Sequence, residues 1–181
     1  AAVHAAGLTP YVTGTVPLNV RTEFHLSRDA ARLLVLAALI ILLSYLASYR
    51  SLRAVVLPLV SVVFGTVWTV GFMSIAGYPL SLITIVAPPL ILIFGNEYNI
   101  FTTSEYLRVA RAASAAPGWI ARAARSVASP IAMAVLTTVI GFLSLLTTSI
   151  RQTREFALIA SFGSLACAFL ALIFLPALYA L

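Results

Sequence analysis

An all-α membrane protein with five membrane-crossing helices is the fold class this sequence predicts, on three observations. Of its 181 residues 62% are hydrophobic and only 9% charged, against about a quarter charged in ordinary soluble domains. Four stretches carry no charge at all: Leu33 to Tyr49, Ala54 to Ala76, Val127 to Ile150 and Phe156 to Leu181. A fifth, Leu82 to Leu107, is as apolar except for Glu97, Glu105 and the amides Asn96 and Asn99. Each stretch is about long enough to cross some 30 Å of hydrocarbon as a helix. Backbone groups in lipid must be satisfied within their own segment, and barrel strands would be shorter and alternating, so helices are expected.

The first 32 residues differ in composition. Thr9 to Thr15 reads as a strand and turn, and Leu18 to Arg32 as an amphipathic helix leading into the membrane. The division expected is therefore an extracytoplasmic end of a preceding domain with its linker helix, residues 1–32, and a transmembrane domain, residues 33–181. The spans are placed at about 33–49, 54–76, 82–107, 127–150 and 156–181. The chain opens at Ala1 without Met and closes on an apolar run at Leu181, so it is expected to be part of something longer.

The short connections Arg50 to Arg53, Gly77 to Ser81 and Arg151 to Glu155 make neighbouring spans antiparallel. The longer one, Arg108 to Ser126, is broken by Pro117-Gly118. Its second part, Trp119 to Arg125, reads either as a short interfacial helix with Arg122 and Arg125 facing phosphates or as a solvated loop. All eleven basic residues are arginines, and the net charge is +6. They lie scattered between apolar runs with no stripe to track a phosphate backbone, which argues against nucleic acid. Six of them fall in the first and third connections, which places those connections in the cytoplasm, the N-terminus outside and Leu181 inside. Tyr45, Tyr49, Tyr106, Trp119 and Tyr179 are expected near the inner interface and Tyr78 near the outer one.

Chemistry concentrates in the third span. An ionisable group within a membrane helix is costly and is a functional hypothesis by default. Glu97 lies fifteen residues into that span, about 22 Å from its outer end at 1.5 Å per residue. Asn96, Tyr98 and Asn99 surround it, and a single helix cannot satisfy them all, so they are expected to point into the bundle or towards another chain. Burial disfavours a charged carboxylate, which suits an acid that takes up and releases protons. The alternative is an acid that stays neutral and only bonds across helices. Thr137 and Thr138 are candidate partners for Glu97, although such hydroxyls commonly bond their own helix backbone. Pro88 and Pro89, two turns before Glu97, should kink or loosen the span or serve packing alone. Ser61, Gly65, Gly141, Ser144, Ala160, Gly163, Ser164 and Cys167 would let helices approach closely. Glu105, beside Tyr106 and Arg108 near the inner end, is expected to be structural. His4 and His25 are isolated, Cys167 is single, and no nucleophile and base stand at useful spacing. No catalytic residue, metal site or cofactor is therefore expected.

Several short motifs follow one another in a particular order: Gly14-Thr15 before the amphipathic helix, Tyr49-Arg50-Ser51-Leu52-Arg53-Ala54-Val55, Gly77-Tyr78-Pro79-Leu80-Ser81-Leu82, Gly95-x-Glu97-Tyr98, Gly141-Phe142-Leu143-Ser144-Leu145, and Leu175-Pro176-Ala177-Leu178. In order and spacing the chain resembles one half of a resistance-nodulation-division (RND) exporter of the MMPL type, from the end of the porter domain through helices two to six. The resemblance implies an RND-type bundle in a bacterial or archaeal cytoplasmic (inner) membrane. It implies proton-driven export of lipids or other hydrophobic molecules, membrane lipids as surroundings, and a second half in the same chain or a homodimer partner. It makes Glu97 the proton carrier and Tyr98 its hydrogen-bonding partner, where the family has an Asp-Tyr pair. The acid here is one methylene longer, and Asn96 and Asn99 stand where apolar or small residues are more usual. Sterol-sensing and Patched-like proteins share the helix arrangement, so a non-transporting sterol- or lipid-sensing module or scaffold is the alternative.

Overall fold

The structure is a computed structural model that describes residues 15–49, 52–81, 83–112 and 118–180. Among the described residues there are only helices and their connections. They are α1 (Thr15–Ser48), α2 (Leu52–Ile75), α3 (Ala87–Ala112), α4 (Trp119–Ser144), α5 (Arg151–Phe169) and α6 (Leu175–Ala180). The predicted strand before Thr15 lies outside the described residues, and Thr15 itself is helical. Four helical segments are long and apolar enough to cross a membrane: Ala31–Ser48, Ala54–Ile75, Trp119–Thr147 and Arg151–Tyr179. α3 is as long, but its amides, acids and arginines dilute its apolar character. The chain is an all-α membrane protein.

α3 and α5 form the centre. α3 packs against α1, α2, α4 and α5, while α5 packs against α2, α3 and α4. Of the apolar window in α5, 61% is buried, against 11% for those in α1 and α4. Leu36, Ile40 and Leu43 on α1 and Met133, Leu136 and Ile140 on α4 point outward, as lipid-facing side chains do. Small residues permit the close central packing. A Cβ on Gly163 of α5 would lie 2.6 Å from Ile91 Cγ1 and 2.7 Å from Thr69 Oγ1. Cys167 Sγ fills the space that Cβ atoms on Gly65 and Gly95 would enter, at 2.6 and 2.9 Å. Gly141 and Ser144, also expected at helix contacts, are exposed, and nothing lies within 4 Å of a Cβ built on Gly141.

Three boundaries differ from the sequence expectation. The regular part of the third span starts at Ala87, after a 3-10 turn Thr84–Val86. Ser81 and Thr84 brace this entry, Thr84 Oγ1 accepting from Ser81 N at 2.7 Å and Ser81 Oγ from Thr84 N at 3.2 Å. The segment Trp119 to Arg125 is neither a separate interfacial helix nor a loop: it is the start of α4, which runs unbroken to Ser144. Gly118, at φ 81°, makes the reversal that lets α4 begin there, a conformation that suits glycine. The last span is interrupted by a π turn, Leu170–Phe174. Pro176 has no N–H for the carbonyl four residues back, and the wider i→i+5 bond from Leu175 N to Leu170 O spans that region.

The antiparallel course gathers Tyr45, Tyr49, Tyr106, Trp119 and Tyr179 at one end. Tyr106 stacks on Tyr179 at 5.5 Å and meets Trp119 edge-on at 6.2 Å. Tyr78 lies at the other end, against Phe72.

Candidate functional site

Consecutive residues of an α-helix point about 100° apart, and that spacing separates the four polar residues in the middle of α3. Ile91, Gly95, Tyr98, Asn99, Thr102 and Tyr106 share the buried face. The Tyr98 hydroxyl pairs with Ser164 Oγ of α5 at 3.1 Å. Asn99, 1% exposed, accepts from Ser61 Oγ at 3.2 Å and donates through Nδ2 to the Pro58 carbonyl at 3.4 Å, both on α2. These two residues tie α3 to α5 and to α2.

Glu97 faces elsewhere. It is exposed on the bundle's flank, between α3 and α4, in a cavity of about 620 Å³ lined by Asn96, Tyr98, Phe101 and Ser104 of α3 and Pro130, Ile131 and Ala134 of α4. It lies ten residues into α3, about 15 Å along the helix axis. The expectation that Glu97 points into this bundle is thus corrected; of the two directions inferred from sequence, the structure leaves it open towards something outside the chain. Asn96 lines the same cavity, and its buried Oδ1 accepts no hydrogen bond among the described residues. Below Glu97, Ser104 Oγ pairs with Tyr49 Oη at 2.7 Å, and that tyrosine also donates to the Ile100 carbonyl at 3.2 Å.

The sequence-derived partners fare differently. Tyr98 does not bond Glu97; its hydroxyl is spent on Ser164, because neighbouring positions on a helix do not share a face. Asn99 is likewise engaged on α2 and stands apart from the acid. The Thr137 hydroxyl donates to its own helix, at Met133 O and Ala134 O, and neither Thr137 nor Thr138 lines the cavity. Pro88 and Pro89 are buried in the first turn of α3, where intrahelical donors are not required, so they open the helix instead of kinking its interior. Ser164 and Ser61, read from sequence as packing residues, turn out to be hydrogen-bond partners of Tyr98 and Asn99. Pro130, Ile131 and Ala134 had no signal of their own, since apolar residues become cavity walls only through packing.

Comparison with known proteins bears on the whole chain. A protein of Methanocaldococcus jannaschii whose name describes it as a membrane protein is 24% identical over 172 residues, covering 95% of this chain and 44% of that protein. The chain therefore spans less than half the length of this relative. The profile of the MMPL family matches residues 1–181. The resemblance drawn from the motif order is borne out: this chain belongs to the MMPL family.

Proposed function

We propose that this chain is the transmembrane part of one half of an RND-type exporter, driven by the proton gradient and moving lipids or other hydrophobic molecules. The carrying observation is Glu97: a carboxyl midway along a central helix of an apolar bundle, in an open cavity, without a hydrogen-bond partner among the described residues. A charge in hydrocarbon is costly, so such a carboxyl either binds a proton or meets a polar partner. An acid that does each in turn couples protonation to helix packing. The partner is supplied by a second half, in the same chain or in a second copy, laid over Ile93, Glu97 and Phe101. Ile93 and Phe101 are 52% and 44% exposed. Asn96, with its unpaired oxygen beside the acid, is the neighbour that responds to the proton. Tyr98 and Asn99 act as positioning residues, fixing the rotation of α3 so that Glu97 faces the cavity. Thr137 and Thr138 have no role in proton transfer on this reading.

One proton falling through 100 mV releases about 2.3 kcal/mol, enough to change a two-state ratio about fiftyfold. Residues 1–32 are the end of the porter domain and its linker helix, the membrane is the cytoplasmic one, and the arginine-rich end faces inward by the positive-inside rule. The family is of transporter type, and the reading involves no enzymatic step. The test is proton-gradient-dependent efflux of a hydrophobic probe by the full-length protein at matched membrane expression. Glu97→Gln abolishes gradient-dependent efflux while the protein still folds. Unchanged efflux would remove Glu97 from the mechanism and favour a lipid-sensing or scaffold module of the same fold.

A further inference from the structure

A second cleft lies on the same α3–α4 seam, at the arginine-rich end of the bundle. It measures about 200 Å³ and is lined by Arg108, Val109 and Ala112 of α3 and Arg122 and Ser126 of α4. Glu105 grips Arg108 with both carboxylate oxygens, at 2.7 Å to Nε and 2.5 Å to a terminal guanidinium nitrogen. That grip leaves the other terminal nitrogen of Arg108 unused by Glu105. Across the cleft, Arg122 has no ion-pair or hydrogen-bond partner for its side chain among the described residues, nor do Arg111 and Arg125 nearby. Glu105 is the one acid in the two helix segments that carry these four arginines, 105–112 and 118–126, so together they hold a net positive charge of three. The level is that of a membrane interface: Trp119, Tyr106 and Tyr179 cluster there, as aromatic belts do at headgroup depth.

We propose that this cleft binds the phosphate of an anionic phospholipid headgroup, held between Arg108 and Arg122; the Ser126 hydroxyl in the cleft is already given to the Ala123 carbonyl at 2.8 Å. Guanidinium groups suit phosphate because their N–H donors form a planar fork. An arginine without an acid partner at an interface meets lipid phosphate before any other abundant anion. Glu105 is the positioning residue, since it fixes the Arg108 fork at the cleft wall and limits the freedom lost on binding. The acid selects for a compact phosphodiester over a diffuse anionic surface, because it cancels one charge and leaves a defined pair of donors. The site is independent of Glu97 and of proton coupling.

The test uses the full-length protein in phosphatidylcholine nanodiscs doped with phosphatidylglycerol, reading by native mass spectrometry how much phosphatidylglycerol stays on the protein. Wild type retains it in preference to phosphatidylcholine. Arg108→Gln and Arg122→Gln each lower retention about fivefold, whereas Arg111→Gln, outside the cleft, leaves it within twofold. Ser126→Phe fills the cleft without changing charge and also lowers retention, which covers the case in which an arginine variant fails to fold. Absence of any preference in wild type overturns the proposal. So does equal loss in Arg111→Gln, which means diffuse surface charge, and so does unchanged retention in Ser126→Phe. Displacement of the lipid by millimolar inorganic phosphate would assign the cleft to a free anion and overturn the lipid source.

Discussion

At the scale of single residues, neighbouring polar side chains on α3 do unlike work because the helix points them apart. Tyr98 and Asn99 are cross-ties to α5 and α2, and Glu97 is the exposed acid of a cavity that Asn96 also lines. Hydrogen bonds between helices in a membrane average about 0.6 kcal/mol. Tyr98→Phe should therefore lower stability by about that amount in a detergent melt and leave efflux within about twofold. A collapse of efflux with unchanged stability would instead put the phenol in the proton path. Gly163 shows the opposite sensitivity. Its absent side chain makes room for Ile91 and Thr69, so Gly163→Val should cost about 1–3 kcal/mol or more by overpacking, read as a lower melting temperature and lower membrane yield. The same substitution at Gly141, where nothing lies within 4 Å of an added Cβ, should be far milder within this chain.

At the scale of elements, α4 is the piece whose extent changes the picture most. Its 26 residues span about 39 Å, longer than the roughly 30 Å of hydrocarbon. Its first turns, bearing Arg122 and Arg125, therefore reach out of the hydrocarbon while still helical. In a Cys167→Ala background, Ala121→Cys should react with a membrane-impermeant maleimide added from the cytoplasmic side, and Ala132→Cys should not. Labelling of Ala121→Cys only from the outer side would reverse the orientation of the whole bundle. The prolines illustrate why periodicity alone misplaced a boundary: Pro88 and Pro89 sit in an apolar run that continues on both sides, yet the Ser81–Thr84 brace already ends the preceding turn. Once the helix begins at Ala87, both prolines fall where a missing N–H costs nothing.

At the scale of the molecule, the stripe of Ile93, Glu97 and Phe101 is exposed, with no element over it among the described residues. The chain also spans less than half of its M. jannaschii relative. If a second half lies over the stripe, positions on the stripe should meet less lipid than exposed positions on the outer face of α4. With Trp68 and Trp119 replaced by Phe in the full-length protein, Leu136→Trp should be strongly quenched by phospholipids with brominated acyl chains. Phe101→Trp should be shielded. Equal quenching would show that the stripe faces lipid and that Glu97 has no covering partner.

The all-α class, the long helices and their antiparallel order follow from the sequence by itself, because the lack of backbone partners in lipid leaves an apolar run of that length one regular form. The family was legible too, in the order of motifs such as Gly95-x-Glu97-Tyr98 and Leu175-Pro176-Ala177-Leu178. The spacing of Ile91, Gly95, Tyr98, Thr102 and Tyr106 divides the faces of α3 only once the structure shows which face is buried, and it puts Glu97 off that stripe, against the expectation that the acid points inward. What that spacing could not supply was the company on either side. Ser164 and Ser61 became partners, Thr137 turned back on its own backbone, and Arg108 and Arg122 met across a cleft. Only tertiary structure decided these, since such contacts depend on the rotation and depth at which each helix docks. In a bundle whose surface is apolar all round, no amphipathic stripe in the sequence sets that rotation; close packing at Gly65, Gly95 and Gly163 does.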